Sequence, residues 1–178
     1  MMRERVQEDG EAPEQERGAL IREAVDRLEE EVRHSLPASQ YSKLVSNLDR
    51  ISSSIRKYGN ERDSPIISIL GHVGNYWRSG ILSLLLPMPQ RPSAMIRQFA
   101  ALAPEHPISH RILTLNLRAL ERDGLIRRYA VGDSRAHVEY ELTEMGRQVC
   151  QFMWSVIDWG EENYDKIVRS REKFDEAD

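Results

Sequence analysis

Among these 178 residues the side chains most often used as reactive thiols or metal ligands are few, one cysteine and five histidines. Cys150, the one cysteine, falls amid Val149, Phe152 and Met153 and reads as a small buried hydrophobe rather than a reactive thiol. The histidines are His34, His72, His106, His110 and His137. His106 and His110 have the four-residue spacing of a helical metal pair, but Pro107 lies between them and no Cys or carboxylate cluster joins them. No serine is grouped with a base and an orienting acid, and there is no Gly-rich phosphate loop. The expectation is a protein that is not an enzyme and needs no metal or cofactor.

The chemistry that does stand out is that of arginine on a helix. From Ser109 to Asp123, at about 100° per residue, Leu113, Leu117 and Leu120 share one narrow arc. Arg111, Leu115, Arg118 and Arg122 fall roughly 140–200° round from Leu113, with Thr114 at the edge. A firm apolar back with donors projecting from the front is what a helix needs to read the edges of base pairs in a major groove. The planar arginine fork reaches guanine O6 and N7 together, and Leu115 or Thr114 can meet a thymine methyl. Arg122, three turns in, suits a phosphate or solvent. A merely solvated face would also carry arginines, but it gains nothing from an exposed leucine set between them.

The elements that must hold this helix follow from patterning. Ser109 is a good N-cap and Gly124 a left-handed stop. Upstream, Pro65 to Gly71 is a short apolar helix, and Tyr76 to Leu86 a second that ends at Pro87-Met88-Pro89. Ser93 is expected to cap a third, carrying Ile96, Phe99 and Leu102. Beyond Gly124 the period drops to two: residues 125–131 and 137–142 read as strands joined by a loop at 132–136. Arg127, Arg128, Arg135 and His137 cluster on this hairpin, which can lie on phosphates or in a minor groove. Thr143 caps a last helix expected to run to about Arg169.

Before this region, Ile21, Val25, Leu28 and Val32 form one helical stripe, and Tyr41, Leu44, Leu48, Ile51, Ile55 and Tyr58 a heptad-spaced second, opened by Ser39. Such a hairpin is too small to hold its own core and must lie either on its own chain or against a second copy. The expected organisation is a disordered arm over 1–17, a helical hairpin over 18–63, a winged helix over 64–145 and a C-terminal dimerisation helix and tail over 146–178. The fold class is mainly α with a small β-hairpin wing. The net charge is −4, yet residues 65–145 carry nine Arg against seven acidic side chains, a basic island between acidic ends. No apolar run approaches the roughly 20 residues that span a bilayer, and MMRERVQEDGEAPEQE at the start lacks the apolar stretch of a secretory signal. A cytoplasmic protein is expected.

Residues 108–126, from Ile108-Ser109-His110-Arg111 to Asp123-Gly124-Leu125-Ile126, resemble the HxlR-type winged helix-turn-helix transcriptional regulators, relatives of the MarR group. Val138-Glu139-Tyr140-Glu141-Leu142-Thr143, Gly146-Arg147 and Gly74-Asn75-Tyr76-Trp77 match further blocks of that family in the right order. The resemblance covers about residues 64–160. It implies a homodimer on double-stranded DNA, with recognition helix 109–123 and wing 127–142. It places Ser109, His110, Arg111, Thr114, Leu115 and Arg118 toward the major groove and Ser93 on a phosphate. There are departures. Ser64 stands where many members have a cysteine that some use for sensing, His137 where a wing arginine is usual, and Pro92 where an aromatic is usual; the N-terminal hairpin is an addition.

On the last helix, Val149, Phe152, Met153, Val156 and Ile157 make an apolar arc that widens toward Trp154, more than one domain usually covers, so these six are expected at a dimer interface. Alternative readings are a winged-helix module for assembly with an acidic protein partner, or an added small-molecule effector entering between the hairpin and the dimer core.

Overall fold

The computed structural model describes residues 8–59, 64–131 and 137–177. The chain divides into two units, Met1–Ile67 and Ser68–Asp178. The first contains α1 (Glu8–Arg33) and α2 (Ala38–Tyr58). Residues 1–7 of the expected arm lie outside the described residues, but the backbone from 8 to 17 is helical, which corrects the expectation of disorder there. Glu, Gln, Ala and Arg are good helix formers, and a helix already started can extend without burying a face. Ser39 does not cap α2: Pro37 holds the N-cap position without a side-chain cap bond, and its carbonyl accepts from the amides of Gln40 and Tyr41 at 2.9 Å. Gly59 (φ 78°) ends α2, donating to the Ile55 carbonyl at 2.8 Å.

α3 (Pro65–Val73) leads into the second unit, followed by α4 (Tyr76–Leu85), α5 (Pro92–Leu102), α6 (His110–Arg122), β1 (Ile126–Ala130), β2 (Val138–Leu142), α7 (Glu144–Glu162) and α8 (Tyr164–Asp175). This is the winged helix-turn-helix order. The core joins Ile81, Leu82 and Leu85 of α4 to Met95 and Phe99 of α5, Leu113, Leu117 and Leu120 of α6, and Cys150 and Met153 of α7. The antiparallel strands pair in register from Ile126 opposite Leu142 to Ala130 opposite Val138. Gln90 adds a third contact to this sheet, exchanging two 2.9 Å backbone bonds with Tyr140.

Local chemistry explains most boundaries. Asn75 caps α4, its side-chain oxygen accepting from Trp77 and Arg78 amides at 3.1 and 3.0 Å. α5 opens with Pro92 at its first position, so Ser93 lies inside the first turn rather than at the cap, which Arg91 occupies. The final helix is not continuous to Arg169. It breaks at Asn163 (φ −107°, ψ 6°), whose side-chain nitrogen donates to the Trp159 carbonyl at 2.8 Å. An asparagine that satisfies backbone groups locally competes with the helical ladder. Among the described residues no helix is long and apolar enough to cross a membrane.

Candidate nucleic-acid interface

The site is built on α6. Ser109 caps it as expected, its hydroxyl accepting from the Ile112 amide at 3.2 Å. Gly124 (φ 70°) ends it in the left-handed conformation that glycine adopts without strain. Leu113, Leu117 and Leu120 are buried. Ser109, His110, Arg111, Thr114, Leu115 and Arg118 are all exposed, Leu115 to 56%. Thr114 donates its hydroxyl proton to the His110 carbonyl at 2.8 Å, which fixes its rotamer.

The back of α6 is held by a polar chain that the sequence reading did not find. Asn116 is buried beside the leucines; its side-chain oxygen accepts from Nε of Arg78 at 3.0 Å and its amide donates to the Ile112 carbonyl at 2.8 Å. Nη1 of Arg78 also donates to Nδ1 of His72 at 3.2 Å. A guanidinium only donates, so Nδ1 of this fully buried imidazole is an acceptor and the ring proton sits on Nε2. Nε2 in turn donates to Oδ2 of Asp123, the C-cap of α6, at 2.8 Å. Ser68 donates to the same oxygen, and Nε of Arg122 donates to Oδ1 at 2.9 Å. Burial alone would raise the Asp123 carboxyl, but the bonds from Arg122, Ser68 and His72 outweigh it and hold the group well below the usual carboxylate range. Arg122, expected toward a phosphate or solvent, is exposed and also engages Asp123 at the helix end. The one trace of it in the sequence is an asparagine on the leucine side of an amphipathic helix, which needs a hydrogen-bond partner but does not say which.

The wing lies beside this helix. Tyr140 is buried, which pushes its phenol up, and it faces Arg128 from the wing together with Glu121 and Arg118 from α6. Arg127 is exposed but paired with Glu141 across the strands, so the wing carries less open positive charge than its composition suggests. Arg128 and His137 are exposed. Arg135 lies outside the described residues. Ser93 is exposed near the N-terminus of α5, where first-turn amides favour an anion.

On α7, Phe152 is 71% exposed, Trp154 and Val156 are exposed, and Val149 and Ile157 are half-buried. Met153 differs from its neighbours: only 2% exposed, it belongs to the core and supports this face from beneath. Burial pushes the Cys150 thiol up, against a smaller opposing effect of Arg147. Among the described residues no group of three or more His, Cys, Asp or Glu side chains could hold a metal ion.

A capped helix with a polar outer face, seated on two others and followed by a two-stranded wing, defines the class of winged helix-turn-helix proteins. Residues 72–168 match the family model described as HxlR-like helix-turn-helix. The chain belongs to the HxlR-like helix-turn-helix family, whose members regulate transcription by binding DNA. It is 37% identical over 103 residues to the HTH-type transcriptional regulator YdeP of Bacillus subtilis, covering 58% of this chain and 76% of YdeP. It is 32% identical to YybR of the same organism, also named an HTH-type transcriptional regulator, over 64% of this chain and 86% of YybR. Among solved structures, that of the transcriptional regulator ytfH from Salmonella typhimurium is similar with a TM-score of 0.51 and 32% identity, covering 62% of this chain and 94% of that one.

Proposed function

We propose that the protein binds specific double-stranded DNA sequences as a homodimer in the cytoplasm, each copy placing α6 in a major groove. In this reading Arg111 and Arg118 meet base edges, Leu115 and Thr114 a thymine methyl, and Ser109 and His110 the groove at the helix start. Arg127, Arg128, Arg135 and His137 bring the wing to the backbone or the minor groove, and Ser93 donates to a phosphate. Residues 64–145 form the DNA-binding domain. Residues 146–178 pair the copies through α7, with Val149, Phe152, Trp154, Val156 and Ile157 at the surface. A two-fold pair then reads a pseudo-palindrome with half-sites about one DNA turn apart.

The observation that carries this reading is the exposure of Arg111, Leu115 and Arg118 on one side of a helix whose opposite side is buried and bolted down. Selection from a random DNA pool should return a repeated half-site. In anisotropy titrations against it, Arg111→Ala and Arg118→Ala should each lose roughly 1–3 kcal/mol and relax the preference at one base pair. Arg128→Ala should weaken specific and non-specific DNA alike and reduce the salt slope by about one. A pool that yields no enriched sequence, together with unchanged titrations, would overturn the proposal.

A further inference from the structure

The family match begins at residue 72, so the α1–α2 hairpin lies outside it. Within these two helices no apolar side chain among the described residues is buried; Gly18 and Ser52 are the only buried positions. Most stripe residues are half-buried, whereas Leu28 is exposed to 40% and Ile51 and Tyr58 each to 50%. A pair of helices with seams this open does not bury enough apolar surface to offset the entropy of ordering it, so something else must close them.

The charges identify the occupant. α1 carries ten acidic and four basic side chains, whereas α2 carries one acidic and four basic. Lys43, Arg50 and Lys57 recur every seven residues along one exposed edge of α2. An acidic α1 repels phosphates, which argues against nucleic acid on this seam. A hairpin with one acidic and one basic helix is complementary to itself. Two copies related by a two-fold axis set each α1 against the other's α2 and enclose four apolar seams. We propose that the open seam of the hairpin is covered by the hairpin of a second copy, forming a four-helix bundle separate from the α7 surface. This goes beyond the DNA-binding reading and stands without it.

The test uses the full chain in a Phe152→Glu/Val156→Glu background, which removes the α7 surface, and reads association by sedimentation equilibrium. That background should still dimerise. Adding Leu28→Glu and Ile51→Glu, both at exposed positions, should leave it monomeric, with helicity by circular dichroism lowered by no more than the share of α1 and α2, while Leu28→Met and Ile51→Leu should leave it dimeric with full helicity. Reversing α2 (Lys43→Glu/Arg50→Glu/Lys57→Glu) or α1 (Glu23→Lys/Asp26→Lys/Glu30→Lys) should each weaken self-association roughly tenfold or more. Mixing the two reversed chains should restore a heterodimer, because unlike charges meet again only across copies. A monomeric background chain, a seam variant that dimerises unchanged, or reversed chains that do not recover on mixing would each overturn the proposal.

Discussion

A Cβ placed on Gly146 would lie 2.0 Å from the carbonyl oxygen of Leu125, because α7 starts hard against the turn that follows α6. That neighbour is backbone and cannot swing away. Gly146→Ala should therefore cost about 3 kcal/mol in urea unfolding, whereas Gly71→Ala, where a Cβ meets nothing within 4 Å, should be neutral or stabilising by up to about 1 kcal/mol. Asp123 sets a second residue-scale expectation. Its folded-state pKa is depressed, so its contribution to stability is complete above the unfolded value of about 4 and is lost as pH falls below it. Asp123→Asn should lower the melting temperature at neutral pH and flatten its decline between about pH 4 and pH 2. Equal slopes for the two chains would show that Asp123 is not the group responsible. The glycine at 124 and the serine at 109 were legible from residue type alone, since each does its work through its own backbone or the nearest turn.

At the scale of elements, α6 could be read almost to the residue because cap, apolar period and stop agree within fifteen positions. What holds it could not. The partner of Asn116 is 38 positions away and that of Asp123 is 51 away, and no periodicity links such pairs. Arg78→Ala leaves the Asn116 oxygen and Nδ1 of His72 without their donor, so it should cost roughly 1–3 kcal/mol of stability by thermal or urea unfolding. The same limit explains the other corrections. Asn163 breaks the last helix through a local side-chain bond that its neighbours' apolar spacing does not register. Pro92 moves the start of α5 ahead of Ser93. Residues 8–17 extend the helix of 18–33 in spite of Gly10 and Pro13, where apolar patterning shows nothing to bury.

For the whole molecule, the α7 face combines two kinds of apolar side chain that sequence spacing alone treats alike. Phe152→Glu should weaken dimerisation at least tenfold in sedimentation experiments and leave the melting temperature of the dilute chain nearly unchanged. Met153→Ala should cost about 2–5 kcal/mol of folding stability, because that side chain fills the core. The reverse pattern would move the interface elsewhere. Thr143 gives this face a further consequence. Its hydroxyl donates to the Gly124 carbonyl at 2.6 Å and accepts from the Gly146 amide at 3.1 Å, so one side chain welds the end of α6 to the root of α7. With 19 residues, α7 is a rod about 28 Å long. In the proposed dimer, a tilt of about 5° at its far end would carry the reading head roughly 2–3 Å along the duplex, less than the ~3.4 Å between successive base pairs. Small adjustments where two rods cross would thus tune the spacing of half-sites the pair accepts, with no change to any side chain that meets a base.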